Sequence, residues 1–213
     1  MPGLLYHLAC GNLVCKSMSQ LEYEPFMLGN LIPDLAQDKS KSHYRIKHFS
    51  SNWKVPDLVM ASQDLLYKND PVLAGIYCHL LLDNFFIDSW LSKNYQLSKD
   101  DAKVMRTYGC SEVWPVEVFL SSQGLYGCYS KFNLSLITDG YIPDYIFNLK
   151  EQPPLTGFSR FDERSDRNWR KELEKYLANP ITDAPEIISL NELKWVIETG
   201  ANLCSRILTL ATL

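Results

Sequence analysis

One apolar stretch decides the fold of this chain: Gly75-Ile76-Tyr77-Cys78-His79-Leu80-Leu81-Leu82-Asp83-Asn84-Phe85-Phe86. Apolar side chains would cover nearly the whole circumference of a helix formed here, which predicts a helix that runs through the core. His79 and Asp83 are four residues apart, so both leave the same face of that helix, roughly 40° apart around its axis. A buried ionised carboxylate must be paired or coordinated. The two residues therefore form either a buried His–Asp hydrogen bond or part of a metal site.

Helical patterns lie on both sides of this stretch, and no strand-like alternation competes with them. Asp70 and Pro71 predict an N-cap and a first helical residue for a central helix of about residues 71–92. Pro33 is expected to end a short preceding helix at Ile32, because a proline disfavours helical geometry in the residue before it. The other predicted helices span residues 3–20, 56–68, 99–107, 111–122, 132–150, 162–178 and 186–211. The fold class is all-α, as a single helical domain of residues 1–213 with a metal-site half of about 1–92 and a helical half of about 98–213.

Composition places the chain among globular proteins and limits its partners. Its 213 residues are 46% hydrophobic and carry a net charge of −4. An acidic protein of this kind is repelled by polyanions, so long nucleic acid is not an expected partner. The N-terminus shows no signal peptide, and no run reaches the ~18 apolar residues that span a bilayer. Six scattered cysteines without a C-x-x-C motif indicate reduced thiols, so we expect a cytoplasmic protein.

All four histidines lie within the first 80 residues: His7, His43, His48 and His79. A lone histidine on an apolar helix face is more often a core residue than a ligand, but their confinement to one part of the chain favours a shared site. The polar stretch 38–48 adds three basic residues that are either a solvated loop or a local site for a phosphate, namely Lys39, Lys41 and Arg45.

These residues together resemble the zinc-dependent phospholipase C family, particularly its uncharacterised bacterial members. The family pattern has an N-terminal histidine, a G-x-x-x-P-D element, an S-H-F or S-H-Y element and a G-Y-x-x-H-L-x-x-D helix. Similar elements occur here in the same order, as His7, Phe26-Met27-Leu28-Gly29-Asn30-Leu31-Ile32-Pro33-Asp34, Ser42-His43-Tyr44 and Gly75-Ile76-Tyr77-Cys78-His79-Leu80-Leu81-Leu82-Asp83. The resemblance covers about residues 4–90.

The resemblance implies a helical bundle of the zinc-dependent phospholipase C and S1/P1 nuclease type. It implies a metal site formed by Asp34, His43, His79 and Asp83, with His7 at a neighbouring position and Asp34 as the catalytic base. Two imidazoles and two carboxylates suit zinc, although another divalent metal is possible, and a free coordination position would activate water. His48 and Asp88 are candidates for supporting roles, and Lys39, Lys41 and Arg45 for contact with a substrate phosphate.

The chain also departs from the secreted members of that family. They build a trinuclear cluster with a further histidine where this chain has Ser89, and they use a later H-x-x-x-E pair. This chain has no histidine after His79. A second metal would have to recruit His7, His48 or Asp88, or a more distant acidic residue, for which the candidates are Asp38, Asp139, Asp144 and Glu198.

Three functions are therefore open. The first is a metal-dependent hydrolase, a phosphoesterase or phosphodiesterase acting on a small phosphoester or phospholipid-like substrate. The second is a protein of the same fold that keeps a structural metal but lacks catalysis. The third is a helical interaction protein without metal, in which His79 and Asp83 form a buried hydrogen-bonded pair. A histidine–aspartate phosphohydrolase is disfavoured because the chain contains no His-Asp dipeptide.

Overall fold

The structure is a computed structural model that describes residues 3–36, 38–48, 52–66, 70–108, 112–143, 146, 161, 171, 174 and 186–211. Its helices are α1 (Leu4–Ser17), α2 (Tyr23–Leu35), α3 (Lys39–Ser42), α4 (Leu58–Leu65), α5 (Pro71–Phe86), α6 (Ser92–Asn94), α7 (Val116–Phe119), α8 (Leu125–Thr138) and α9 (Leu190–Ala211). A π-helical turn, Ile87–Leu91, joins α5 to α6. Its strands are β1 (Arg45–Lys47), β2 (Lys54–Pro56), β3 (Tyr95–Leu97), β4 (Lys103–Arg106) and β5 (Val113–Pro115).

Helix α5 is the central element, and its prediction from the sequence is confirmed. The Asp70 side chain accepts hydrogen bonds from the backbone N–H groups of Val72 and Leu73, and Pro71 occupies the first turn. Helices α1, α2, α4 and α9 all pack against α5. This surround explains why a helix that is apolar on every side is stable in the fold.

Two glycines bring the backbones of α2 and α5 into direct contact. A Cβ atom added to Gly75 would lie 2.1 Å from the backbone oxygen of Phe26 on α2. A Cβ atom added to Gly29 on α2 would lie 2.0 Å from the backbone oxygen of Val72. No side chain fits at either position, so the two helices approach as closely as their main chains allow. This approach fixes where the end of α2 lies relative to His79.

The second half of the chain contacts the first through α9. This helix packs against α1 and α5. A Cβ atom added to Gly200 on α9 would lie 2.6 Å from the Cδ1 atom of Leu82 on α5. The predicted final helix is confirmed, although it begins at Leu190. Its buried residues recur at helical spacing, as Leu193, Val196, Ile197, Gly200, Ala201, Cys204 and Leu208.

The fold is mostly helical, but the expectation of an all-α chain is wrong in detail because two small antiparallel sheets are present. Strands β1 and β2 form a hairpin, and β3, β4 and β5 form a three-stranded sheet in that order. Residues 103–106 and 113–115 are strands inside the predicted helices 99–107 and 111–122. Strands of three or four residues are too short for their alternating burial to stand out in a sequence.

Other predicted boundaries also shift. Helix α2 continues through Pro33 to Leu35, because a proline in the last turn removes only one main-chain hydrogen bond. Helix α4 begins at Leu58, since Asp57 caps it and Pro56 belongs to β2. Helix α8 begins and ends earlier than the predicted helix 132–150. The predicted helix 162–178 lies outside the described residues apart from isolated positions.

One helical segment within the described ranges, Pro71–Asn94, is long and apolar enough to cross a membrane by length and composition alone. In the fold, 67% of its most apolar window is buried against other parts of the chain. Burial of this extent is what the core helix of a soluble protein has, so the protein itself covers this apolar surface.

The contact between α2 and α5 generates a stability prediction. Gly75→Ala should lower the free energy of unfolding by about 1–3 kcal/mol, because its methyl group must push two main chains apart. Gly3→Ala is the matched control, since its Cβ would meet only ordinary contacts at 3.6 Å or more, and it should change stability by less than about 1 kcal/mol. Urea unfolding followed by circular dichroism measures both. Equal effects of the two substitutions would contradict the proposed contact.

Candidate metal centre

Asp83 and His79 lie on one face of α5, but they do not form the hydrogen-bonded pair that was one of the expectations. The nearest atoms, His79 Nε2 and Asp83 Oδ2, are 4.0 Å apart, which is too long for a hydrogen bond. Both residues are fully buried. Neither carboxylate oxygen of Asp83 has a hydrogen-bond partner among the described residues. An ionised carboxylate in this position needs a cation or a donor that these contacts do not supply.

The backbone of α2 fixes the protonation of His79. Its Nδ1 atom lies 2.9 Å from the backbone oxygen of Asn30, which can only accept, so Nδ1 carries the hydrogen. In a neutral imidazole the other nitrogen then presents a lone pair. Burial is the main cause that lowers the pKa of His79 to about 3, and the neighbouring ring of His7 is the second. His79 is therefore neutral at physiological pH, with Nε2 as a potential metal ligand.

His43 is held in the same way by a different partner. The hydroxyl of Ser42 donates its hydrogen to the backbone oxygen of Pro33 at 3.1 Å, so its oxygen accepts from Nδ1 of His43 at 2.9 Å. We therefore assign the hydrogen to Nδ1 and a lone pair to Nε2. Tyr44 follows with φ at 49°, a left-handed conformation that is rare for a large residue. This turn separates the buried His43 from strand β1.

The Nε2 atoms of His43 and His79 are only 3.3 Å apart. With the hydrogens assigned as above, two lone pairs face each other, and such an arrangement is repulsive unless a proton or a metal ion lies between them. The carboxylate of Asp83 adds negative charge, with Oδ2 at 3.6 Å from His43 Nε2. These three side chains therefore form a buried site that favours a cation.

His7 and Asp34 complete the cluster from α1 and α2. The ring of His7 stacks on that of His79, with centroids 3.5 Å apart, and its Nε2 lies 3.4 Å from Asp83 Oδ1. Neither ring nitrogen of His7 has a hydrogen-bond partner within the described ranges. Asp34 Oδ1 lies 3.7 Å from His43 Nε2. The Asn30 side chain also donates to the backbone oxygen of His7 at 2.7 Å, so Asn30 holds both α1 and His79.

The two carboxyl groups stay ionised for related reasons. Burial works to raise the pKa of Asp83, but the neighbouring His7, with smaller contributions from His79 and His43, outweighs it and the pKa falls to about 2. Burial likewise opposes ionisation of Asp34, whereas His43 and, more weakly, His79 and Lys39 hold its pKa well below the usual value. Asp34 is the one member of the cluster that solvent reaches, with 16% of its side chain exposed.

The five side chains form two overlapping groups of potential ligands. His7, His79 and Asp83 have donor atoms within 4.8 Å of one another, as do Asp34, His43 and His79. The closest pairs of donor atoms in the cluster are 3.3–4.0 Å apart. Neighbouring ligand atoms around a tetrahedral zinc ion are about 3.3 Å apart, so these separations are close to those of a zinc site. His79 has only one free nitrogen, so the two groups cannot each take a separate ion through it. These residues could hold one metal ion.

Most other candidates from the sequence lie away from this cluster. His48 contacts the exposed Asp88 at 3.1 Å, and Lys41 contacts Asp38 at 3.5 Å. Arg45 lies half-buried on β1, and Lys39 approaches the cluster, at 3.4 Å from Asp34. The more distant acidic candidates have other partners: Asp139 binds Lys194, and Glu198 accepts a hydrogen bond from Tyr141. Asp144 lies outside the described residues.

Sequence reasoning missed Tyr129 on α8. Its ring packs against Tyr6, the neighbour of His7, and against Phe86, which lies one turn after Asp83. Its hydroxyl is buried and has no hydrogen-bond partner in the described part of the chain. Burial raises the pKa of Tyr129 well above the usual value, and Asp83 adds to the effect, so the group is a neutral donor. No spacing or residue type in the sequence marks this tyrosine.

The comparisons with known proteins give no match: no protein-family model, curated protein or solved structure matches this chain. The resemblance to zinc-dependent phospholipase C therefore depends on the sequence elements alone, and the case for a metal site depends on the geometry above.

Metal content tests the cluster directly. His79→Ala should remove the bound ion, because His79 belongs to both groups of ligands. Asp88→Ala should retain it, since the Asp88 side chain is exposed and, among the described residues, contacts His48 rather than the cluster. Elemental analysis of both variants and the wild type, each purified without chelator and checked by circular dichroism, measures this difference. Equal metal content in folded His79→Ala and wild-type protein would rule out the site.

Proposed function

We propose that this chain is a metal-dependent hydrolase of phosphoesters, in which Asp34, His43, His79 and Asp83 bind zinc and His7 assists them. The observation that carries the proposal is the pair of facing Nε2 atoms on His43 and His79 beside the buried carboxylate of Asp83. Neutral imidazoles and carboxylates are ligands that suit zinc, and two carboxylates balance its charge. Bound zinc supplies a water of lowered pKa and polarises a phosphoryl oxygen.

Asp34 is the catalytic residue in this proposal. It lies at the only exposed edge of the cluster, so we infer that water and substrate enter there. Because its pKa is held low, Asp34 is ionised throughout the neutral range and always able to accept a hydrogen bond from the attacking water. Such a contact orients the water toward the phosphorus atom.

Lys39 would bind the substrate phosphate beside Asp34. Its Nζ atom is 3.4 Å from Asp34 Oδ1 and its side chain is 44% exposed, so it can reach a ligand at the entrance. Lys41 is 68% exposed and contacts Asp38 instead. We therefore narrow the phosphate-binding role proposed from the sequence to Lys39.

The substrate class that fits is a small phosphodiester or a phospholipid-like phosphoester. The net charge of −4 disfavours long nucleic acid. The motif resemblance supports a fold of the zinc-dependent phospholipase C type. A cytoplasmic location is also part of the proposal, and the free cysteines at Cys10, Cys15, Cys78, Cys128 and Cys204 support it.

A structural metal site is the second candidate, and one observation favours it. The side chains of His7, His43, His79 and Asp83 are fully buried. Structural zinc sites are closed, whereas catalytic sites keep an open coordination position. A protein that uses the ion only for stability would bind metal at full stoichiometry and cleave no phosphoester.

Kinetics on a chromogenic phosphodiester, bis(p-nitrophenyl) phosphate, separate these candidates. The zinc-loaded protein should cleave it, and Lys39→Ala should raise KM by about threefold to tenfold, because it loses a partly exposed charge-assisted contact. Lys41→Ala is the matched control and should leave KM unchanged. Asp34→Asn should lower kcat.

Full zinc loading without cleavage of this or other small phosphodiesters would favour the structural site. Equal effects of Lys39→Ala and Lys41→Ala on KM would remove Lys39 from the substrate contact.

A further inference from the structure

The strands β1 and β2 form a hairpin that is basic in an otherwise acidic chain. Residues 38–57 contain five basic residues, Lys39, Lys41, Arg45, Lys47 and Lys54, against two acidic ones, Asp38 and Asp57. This segment therefore carries a net charge of +3, whereas the whole chain carries −4. The charge of the protein is strongly uneven.

Two lysines on this hairpin face each other. Lys47 and Lys54 are directly opposite in the strand register, and both are exposed. Neither has an acidic partner within the described ranges. Like charges in opposite positions destabilise a strand pair. The repulsion would be relieved by an anionic surface that binds both ammonium groups.

Other parts of the fold hold this unfavourable hairpin in place. Trp53 donates from Nε1 to the backbone oxygen of Tyr95 at 2.9 Å, and Asn84 donates to the backbone oxygen of Pro56 at 3.0 Å. The His48–Asp88 contact adds a third link. Asn84 directly follows Asp83, so its bond attaches the hairpin to α5 beside the metal cluster, and the other two contacts attach it to β3 and to the π-helical turn.

The hairpin has an exposed aliphatic group on the face opposite to these cations. Ile46 pairs with the buried Val55, so it projects from the other face of the hairpin than Lys47 and Lys54, yet it keeps 48% of its surface exposed. The two aromatic rings of the segment that the structure describes, Tyr44 and Trp53, are only 3% and 6% exposed. Binding of single-stranded nucleic acid relies on exposed rings that stack on bases. Cations next to an exposed aliphatic side chain are instead suited to an anionic lipid surface.

We propose that the β1–β2 hairpin docks the protein on the surface of an anionic phospholipid bilayer. The hairpin meets the bilayer along the edge of β1, so that Lys47 and Lys54 on one face bind the negatively charged headgroups and Ile46 on the other face contacts the boundary between headgroups and acyl chains. Because charges farther than about 8 Å are largely screened at physiological ionic strength, the acidic remainder of the protein opposes this contact only weakly. Docking through this hairpin would bring the cluster around Asp83 close to the membrane.

Co-sedimentation of the purified 213-residue chain with vesicles tests the proposal. Binding should require phosphatidylserine in phosphatidylcholine vesicles and should weaken as salt increases. Lys47→Gln/Lys54→Gln should lower the partition coefficient about 25-fold, because each lysine contributes roughly fivefold. Lys99→Gln/Lys103→Gln, which removes the same charge from exposed positions outside the hairpin, should change it less than twofold. Ile46→Ser should lower it without altering the salt dependence.

Three results would overturn the proposal: no phosphatidylserine-dependent binding, an equal loss in the two double variants, or binding of a single-stranded oligonucleotide but not of vesicles. The last would assign the hairpin to nucleic acid. Vesicle partition is measured apart from phosphoester cleavage, so a protein that docks without hydrolysis, or hydrolyses without docking, identifies which proposal fails.

Discussion

The hydrogen bond from Nδ1 of His79 to the backbone oxygen of Asn30 is the interaction on which the site depends. It forms because Gly29 and Gly75 let the main chains of α2 and α5 touch. It determines which nitrogen of His79 faces the cluster and leaves that nitrogen with a lone pair. The Ser42 hydroxyl does the same for His43. The packing of α2 against α5 thus determines which nitrogen of His79 can bind a metal. A change at either glycine would disturb both the packing and the site.

Burial makes the cluster well suited to bind a cation, and it makes the cluster energetically unfavourable without one. Three imidazoles and the carboxylate of Asp83 are withdrawn from water, and several of their polar atoms have no hydrogen bond within the described ranges. Removing such groups from water without partners costs several kcal/mol in typical proteins. A bound cation would offset that cost, because it attracts the carboxylates and accepts both facing lone pairs. The same burial confines access to the edge at Asp34, which is why the site suits either a small substrate or a structural ion.

The central helix and part of the site could be predicted from the sequence, because the residues there have strong local structural preferences. The apolar run with Asp70 and Pro71 before it predicts α5, and the spacing of His79 and Asp83 places them on one face. The strands β4 and β5 could not be predicted, because three or four residues are too short to show a pattern. Pro33 was misleading, since a proline in a final turn costs one hydrogen bond and tertiary packing overrides it. Tyr129 could not be found because its packing against Tyr6 and Phe86 depends on how α8 folds back on α1 and α5.

X-ray absorption at the metal edge of the protein, purified without chelator, tests the central claim most directly. A metal centre formed by Asp34, His43, His79 and Asp83, with His7 beside them, predicts one ion per chain. Its ligand shell should contain only nitrogen and oxygen at about 2.0–2.1 Å, with scattering from imidazole rings. The absence of a bound ion would contradict the account. So would a shell containing sulfur at about 2.3 Å, because it would place the metal on cysteine thiols, such as the buried pair Cys10 and Cys78, which lie 3.9 Å apart.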